Sequence, residues 1–109
     1  MSSNAFTPSG NTVALAVTST STSTPLQVKG NVNNSTQRMF YNAGPNDCFV
    51  EAAATATAAV APAAGTPGNA FPVPAGAVLV LSIPPNHYFA AISASAQTAT
   101  LYITPGEGN

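Results

Sequence analysis

Residues 12–18 alternate cleanly, with Val13, Leu15 and Val17 on one face and Thr12, Ala14, Ala16 and Thr18 on the other. A period of two with β-branched members predicts a half-buried strand. The Ser/Thr tract at 19–24, followed by Pro25, ends it either as a loop or as an extended edge. A short strand is expected over 26–29, closed by Gly30, and turn residues at 31–35 lead to a third strand over 36–42 that carries Arg38, Phe40 and Tyr41. Ala43-Gly44-Pro45-Asn46-Asp47 is a strong turn signal. Extended structure resumes over 48–54, with Cys48, Val50 and Ala52 on one face and Phe49 and Glu51 on the other.

Residues 51–61 are rich in alanine, the best helix former, and Glu51 suits a first helical turn. Thr55, Thr57, Val60 and Pro62, with no wide apolar stripe, favour a strand that runs into a loop. The Pro- and Gly-rich stretch 63–76 reads as a long ordered loop pinned by Phe71 and Val73. Residues 77–83 are almost continuously apolar, Leu79 and Leu81 among them, which predicts a central strand covered on both faces. Pro84-Pro85-Asn86 turns the chain into a segment at 87–93, and a last strand at 100–104 points Leu101 and Ile103 inward.

Seven or eight short strands with turns between them and no convincing helix make this an all-β chain, a single-domain β-sandwich of antiparallel strands. Eight strands in two packed sheets would be a jelly roll. An immunoglobulin-like sandwich is the runner-up, but the chain has no Trp and no cysteine pair. The expected organisation is an N-terminal arm at 1–11, the sandwich domain at 12–104 and a C-terminal tail at 105–109.

Charge changes the picture more than length does. Only 5% of the 109 residues are ionic, against roughly 25% in typical soluble domains. Lys29, Arg38, Asp47, Glu51 and Glu107 are the whole set. A monomer of this mass should expose roughly 5,500 Å², so each ion would serve roughly 1,100 Å². Two readings follow: a neutral polar surface built from Ser, Thr, Asn and Gln, or a surface largely covered by partners. Two basic residues at separate positions cannot supply the phosphate neutralisation behind nucleic-acid binding. No apolar run is long enough for a membrane-spanning helix, and the first residues have neither the basic nor the apolar region of a secretion signal.

The chemical inventory is nearly empty. Cys48 and His87 are the one pair that could make a nucleophile and base, a role requiring hydrogen-bond reach and an orienting third group. The plainer expectation is a small buried thiol and a turn histidine. The five candidate ligands Asp47, Cys48, Glu51, His87 and Glu107 lack the spacings of zinc or calcium sites, so no metal or cofactor is expected. The glycines at 65–68 and 105–108 lack a phosphate-loop lysine, and the sequons at Asn33 and Asn34 carry no weight without secretion. No catalytic residue is assigned, and the expectation is a non-enzyme.

Three segments carry a resemblance. Phe40-Tyr41-Asn42-Ala43-Gly44 followed by Cys48-Phe49-Val50, then Phe71-Pro72-Val73-Pro74-Ala75-Gly76, and above all Leu101-Tyr102-Ile103-Thr104-Pro105-Gly106-Glu107-Gly108, resemble motifs of small tailed-phage capsid decoration, or cement, proteins. The likeness covers residues 36–109. It implies a structural virion protein, often a jelly roll, that binds the outer surface of a phage head and bridges major capsid subunits, commonly as a dimer or trimer. It brings no catalytic residues; Gly44, Gly76, Gly106 and Gly108 would serve as turns, and Leu101 and Ile103 as core. The alternatives are a carbohydrate-binding or adhesin-like module using Tyr41, Tyr88 or Tyr102, and a small cysteine hydrolase using Cys48.

Overall fold

The alternating run at the start becomes a strand, and its apolar face is the buried one. The structure, a computed structural model, describes residues 6–8, 10–20, 26–27, 37–83 and 87–107. Among them are nine strands: β1 (Thr7–Pro8), β2 (Val13–Val17), β3 (Leu26–Gln27), β4 (Gln37–Pro45), β5 (Cys48–Ala53), β6 (Phe71–Val73), β7 (Val78–Ser82), β8 (Tyr88–Ile92) and β9 (Ala99–Glu107). Seven have three residues or more, all pairings are antiparallel, and no helix occurs among the described residues. The chain is all-β, with two antiparallel sheets forming a small sandwich.

The first sheet runs β1-β9-β4-β7, with β2 also on β9. Strand β4 occupies one side of β9 along its length, so β1 and β2 lie end to end on the other side. The second sheet runs β3-β8-β5-β6. The pairings β2·β9, β3·β8, β4·β7 and β5·β6 are nested like one long hairpin whose tip lies between β5 and β6. Pairs β4·β9 and β5·β8 then close the ribbon into its two sheets.

Between the sheets lies one apolar cluster. Leu15, Val17, Phe40, Leu101 and Ile103 come from the first sheet, and Cys48, Val50, Val73, Phe89 and Ala91 from the second. Phe40 sits at its centre, edge-on to Phe71 at 5.6 Å and to Phe89 at 5.8 Å. Val13, Leu79 and Leu81 pack on this cluster from partly buried positions. The seven positions expected to form the core, Val13, Leu15, Val17, Leu79, Leu81, Leu101 and Ile103, therefore all face it.

Glycine and the turn chemistry explain how β4 ends. Asn42 is fully buried, and its Oδ1 accepts the Gly44 N–H at 2.7 Å. Gly44 has φ 87°, a backbone region that a β-carbon makes unfavourable, and the β4·β9 register shifts here between Asn42 and Pro45. Gly76, at φ 83°, lies in the turn closed by the Ala77 N–H on the Pro74 carbonyl at 3.0 Å. Both glycines do turn or bulge work, as expected.

Four expectations need correction. The 77–83 run is not central: β7 is the terminal strand of its sheet, and Val78 and Val80 are exposed. Residues 105–107 are not a tail, because β9 continues through them between β1 and β4, with Pro105 and Gly106 buried. Gly106 is accordingly a buried strand residue opposite Gln37 and Pro8, and not a turn. The arm at 1–11 is in part structured, since Thr7 and Pro8 pair with Glu107 and Gly106. Gly108 lies outside the described residues, as do parts of the predicted segments at 19–36 and 84–86.

Residues 51–61 leave the strand at Ala53 and continue without helix, as threonine and Pro62 suggested. The connection from 54 to 70 folds back over the outer face of the second sheet. There Ala59 and Ala70 pack with Ala90, Phe49 and Ile92 in a second small apolar cluster. Asn69 laces the loop, accepting from the Val60 N–H at 2.7 Å and donating to the Ala58 carbonyl at 3.0 Å. A β-carbon on Gly68 would overlap the Val60 carbonyl oxygen, so only glycine lets these two stretches of backbone meet. Phe71 and Val73 anchor its far end as β6, the pinning role expected of them.

Candidate protein-docking face

The two sheets treat their outer faces differently. The second is roofed by the protein's own loop. The first carries no such roof among the described residues. Its outward residues alternate with the core residues along each strand: Ala14 and Ala16 on β2, Met39 and Tyr41 on β4, Val78 and Val80 on β7, Thr100 and Tyr102 on β9. Cross-strand register aligns Ala14, Tyr102, Tyr41 and Val78 in one row across the sheet. Tyr41 and Tyr102 stack at 6.1 Å with 14° between their planes. A second row sets Thr104, Met39 and Val80 side by side, and Thr12 and Thr104 join hydroxyls at 2.8 Å.

Exposure concentrates on this face. Of the five exposed large apolar or aromatic residues, Tyr41, Val78, Val80 and Tyr102 belong to it, and Val60 sits apart on the loop. Val78 is 57% exposed and Val80 44%, in a strand whose opposite side packs on the core. None of the outward residues is ionic. An uncharged sheet face with clustered exposed apolar and aromatic side chains is a candidate interaction surface.

The charge count strengthens the point. Total accessible surface is 5635 Å². Of the five ionic residues, Arg38 and Glu51 are buried at 1% and 6% exposure. Asp47 is the exposed ion among the described side chains, and its Oδ1 is engaged by the Ala75 N–H at 2.9 Å. Arg38 points into the sandwich, with its guanidinium 5.8 Å above the Phe89 ring and Nη1 donating to the Gln37 carbonyl at 2.9 Å. In the sequence Arg38 shares a strand face with Phe40, but nothing local shows what would receive its charge inside the sandwich.

Cys48 and His87 are not brought together. Cys48 opens β5 opposite Val73, whereas His87 precedes Tyr88, which pairs with Ala53 at the far end of β5. Six strand positions separate them, roughly 20 Å. Burial, and then the Asp47 charge, push the Cys48 thiol up to about 11, so it is protonated near neutral pH. Asp47, Cys48 and Glu51 do not converge either, because Cys48 faces the main core and Glu51 the opposite side of β5. Among the described residues no three His, Cys, Asp or Glu side chains gather to hold a metal ion.

Glu51 makes the one clear pH statement. Its Oε1 is buried with no hydrogen-bond partner among the described residues, and burial raises its pKa above 4.5, an effect His87 partly offsets. The folded state thus holds this proton more tightly than the unfolded chain. The contribution is fully present below about pH 4.5 and is lost as pH rises through the elevated folded value. Thermal melts should show Glu51→Gln flattening that decline and gaining stability on the wild type at pH 7. An unchanged pH profile would remove Glu51 as its source.

Tyr88 is half-buried on the second sheet and does not join the Tyr41–Tyr102 pair. No protein-family model matches the chain, and neither a curated protein nor a solved structure matches it significantly.

Proposed function

We propose that this chain is a structural protein of a phage particle, binding the outer surface of the head through the outward face of its first sheet and bridging major capsid subunits. The observation that carries this reading is the asymmetry between the sheets: one apolar outer face is roofed by residues 54–70, and the other is uncharged and has no roof among the described residues. A free-living protein gains nothing from exposing Val78 and Val80, whereas a subunit fixed on a protein lattice recovers that burial when bound. The sequence likeness to decoration proteins supplies the kind of lattice. The nested pairing of β2 to β5 with β9 to β6 supports the finer fold assignment, an eight-stranded jelly roll.

Binding of this kind needs no catalytic or cofactor chemistry. Each subunit would cover roughly 800 Å² of capsid protein. Few ions means little desolvation cost at the interface and little sensitivity to salt. Repetition over a symmetric shell converts modest contacts into firm attachment, because each bridge raises the effective concentration of the next.

A carbohydrate-binding module is the second reading, favoured by the exposed Tyr41–Tyr102 stack. Against it, the stack's neighbours in the row are Ala14 and Val78, which offer no hydrogen bonds to sugar hydroxyls.

Heads lacking the protein, mixed with purified chain and imaged, should acquire density at fixed lattice positions. Tyr102→Glu should keep the wild-type circular dichroism yet reach less than about a tenth of the occupancy, since it sets a charge in a desolvated contact. Full occupancy by that variant would remove the face from the interface. Wild-type chain that stays free of heads, but is captured on a glycan array, would replace the capsid reading with the sugar one.

A further inference from the structure

The outward face ends at β7, and this edge differs from the others. Open edges invite pairing, and proteins blunt them with proline, charge or shortness. On the second sheet, β6 carries Pro72 and β3 spans two residues. On the first sheet, β2 is also uncharged, but its core side is finished: Leu15 and Val17 are 4% and 1% exposed, and it projects only alanines outward. Strand β7 reads Val-Leu-Val-Leu-Ser, with no proline and no ion. Its core-facing Leu79 and Leu81 are only half-buried, because no further strand covers them on that side among the described residues.

The backbone of β7 has a fixed polarity. The Asn42 N–H donates to the Ala77 carbonyl at 3.2 Å, which makes 42 and 77 a hydrogen-bonded position of the β4·β7 ladder. Alternation along an antiparallel pair then directs the N–H and C=O of Leu79 and Leu81 toward β4, and those of Val78, Val80 and Ser82 toward the open edge. These three residues are evenly spaced about Val80. A second β7, related by a two-fold axis through Val80, matches every one of them: Val80 opposite Val80, and Val78 opposite Ser82 in both directions. That register makes six backbone hydrogen bonds, and it sets Leu79 of each copy beside Leu81 of the other, over the unfinished end of both cores.

We propose that β7 is a homodimerisation edge, pairing antiparallel with β7 of a second copy to join the two first sheets into one continuous sheet. A second copy is the occupant because the edge is self-complementary in the backbone groups it turns away from β4, which no other described strand pairs, and β7 itself carries no charge to oppose a second copy. Five residues present an edge roughly 17 Å long. With flanking side chains the pair buries roughly 1,000 Å² in total, at the low end of specific interfaces, so the dimer is weak in solution. Joining two subunits merges their outward faces into one platform of twice the width. The dimer itself does not depend on what that platform meets.

Sedimentation equilibrium of the isolated protein tests this without any phage head. The wild type should show reversible monomer–dimer exchange with a Kd between about 10 μM and 500 μM. Val80→Pro removes an N–H that β4 does not use, a position where an edge strand accepts proline, and should weaken the dimer at least about tenfold with unchanged circular dichroism. Val80→Cys should form a disulfide dimer under mild oxidation, since hydrogen-bonded partners lie about 5.5 Å apart at Cα, within disulfide reach. Tyr102→Cys, on the same face but two strands away, should not. A wild type that is monomeric at about 1 mM overturns the proposal. So does a folded Val80→Pro that dimerises as well as wild type, or equal cross-linking by the two cysteine variants. If Val80→Pro fails to fold, the cross-linking comparison decides.

Discussion

Replacing Phe40 with alanine is expected to lower folding stability by about 4 kcal/mol, much of the total for a domain of this size. Phe40 is fully buried on β4, and its ring bridges the sheets, meeting Phe71 from β6 and Phe89 from β8 edge-on. Alanine removes that ring from both contacts at once and leaves a cavity that two aromatic neighbours on a rigid sheet cannot refill. Phe40→Leu should cost less, about 1–2 kcal/mol, because most of the volume remains. The contrast within the strand is the sharper check. Tyr41, one residue on, faces outward and stacks only on Tyr102. Tyr41→Ala should cost no more than about 1 kcal/mol. Urea denaturation of the three variants measures all of this, and equal losses at 40 and 41 would contradict the assigned faces of β4.

Asn42→Ala should be nearly as damaging, at about 3 kcal/mol, for a polar reason. The Asn42 amide donates to the Val73 carbonyl at 2.8 Å and to the Asn46 carbonyl at 2.9 Å, while its Oδ1 takes the Gly44 N–H. One side chain therefore ties β4 of the first sheet to β6 of the second and holds the bulge that ends β4. Removal strands backbone groups at a buried site, each worth about 1–3 kcal/mol when left unpaired. Asn42→Asp isolates the donors: the carboxylate still accepts from Gly44 but turns oxygen toward two carbonyls. Its stability should recover on acidification, when the protonated group can donate once. Denaturation midpoints at pH 7 and pH 4 measure this, and an Asn42→Asp variant as stable as wild type at pH 7 would refute the latch.

In the sequence Asn42 stands only as one residue of the 40–44 motif. Its spacing to Gly44 is local, and an Asn two residues before a glycine is a readable turn signal. The bond to Val73 spans 31 positions and has no local signature. Arg38 is similar. Its neighbours in sequence fix it on the face shared with Phe40, yet an arginine on a strand is ordinarily placed outward, and its inward position is supported by contacts such as the Phe89 ring across the core and the Gln37 carbonyl.

The run at 77–83 shows where pattern reasoning stops. Continuous apolar sequence predicts a central strand covered on both faces, whereas β7 ends its sheet and has only one face on the core. Leu79 and Leu81 meet this chain's own core, while Val78 and Val80 flank Tyr41 and Met39 on the outward face and stay 57% and 44% exposed. Apolar sequence on both faces of an edge strand, with one face left exposed among the described residues, fits the proposed assembly interface.

By itself, the sequence determined the class of the fold, the core face of the main alternating strands, the absence of helix at 51–61 and the shortage of charge. These are local or compositional properties, set by a side-chain period of two and by what each residue can solvate. Tertiary structure alone decided which strands became edges, that 105–107 continue β9, and that residues 54–70 roof one sheet while no described residue roofs the other. Each depends on pairings between residues far apart in the chain. A period along one strand can state which face is apolar, but not which partner will cover it.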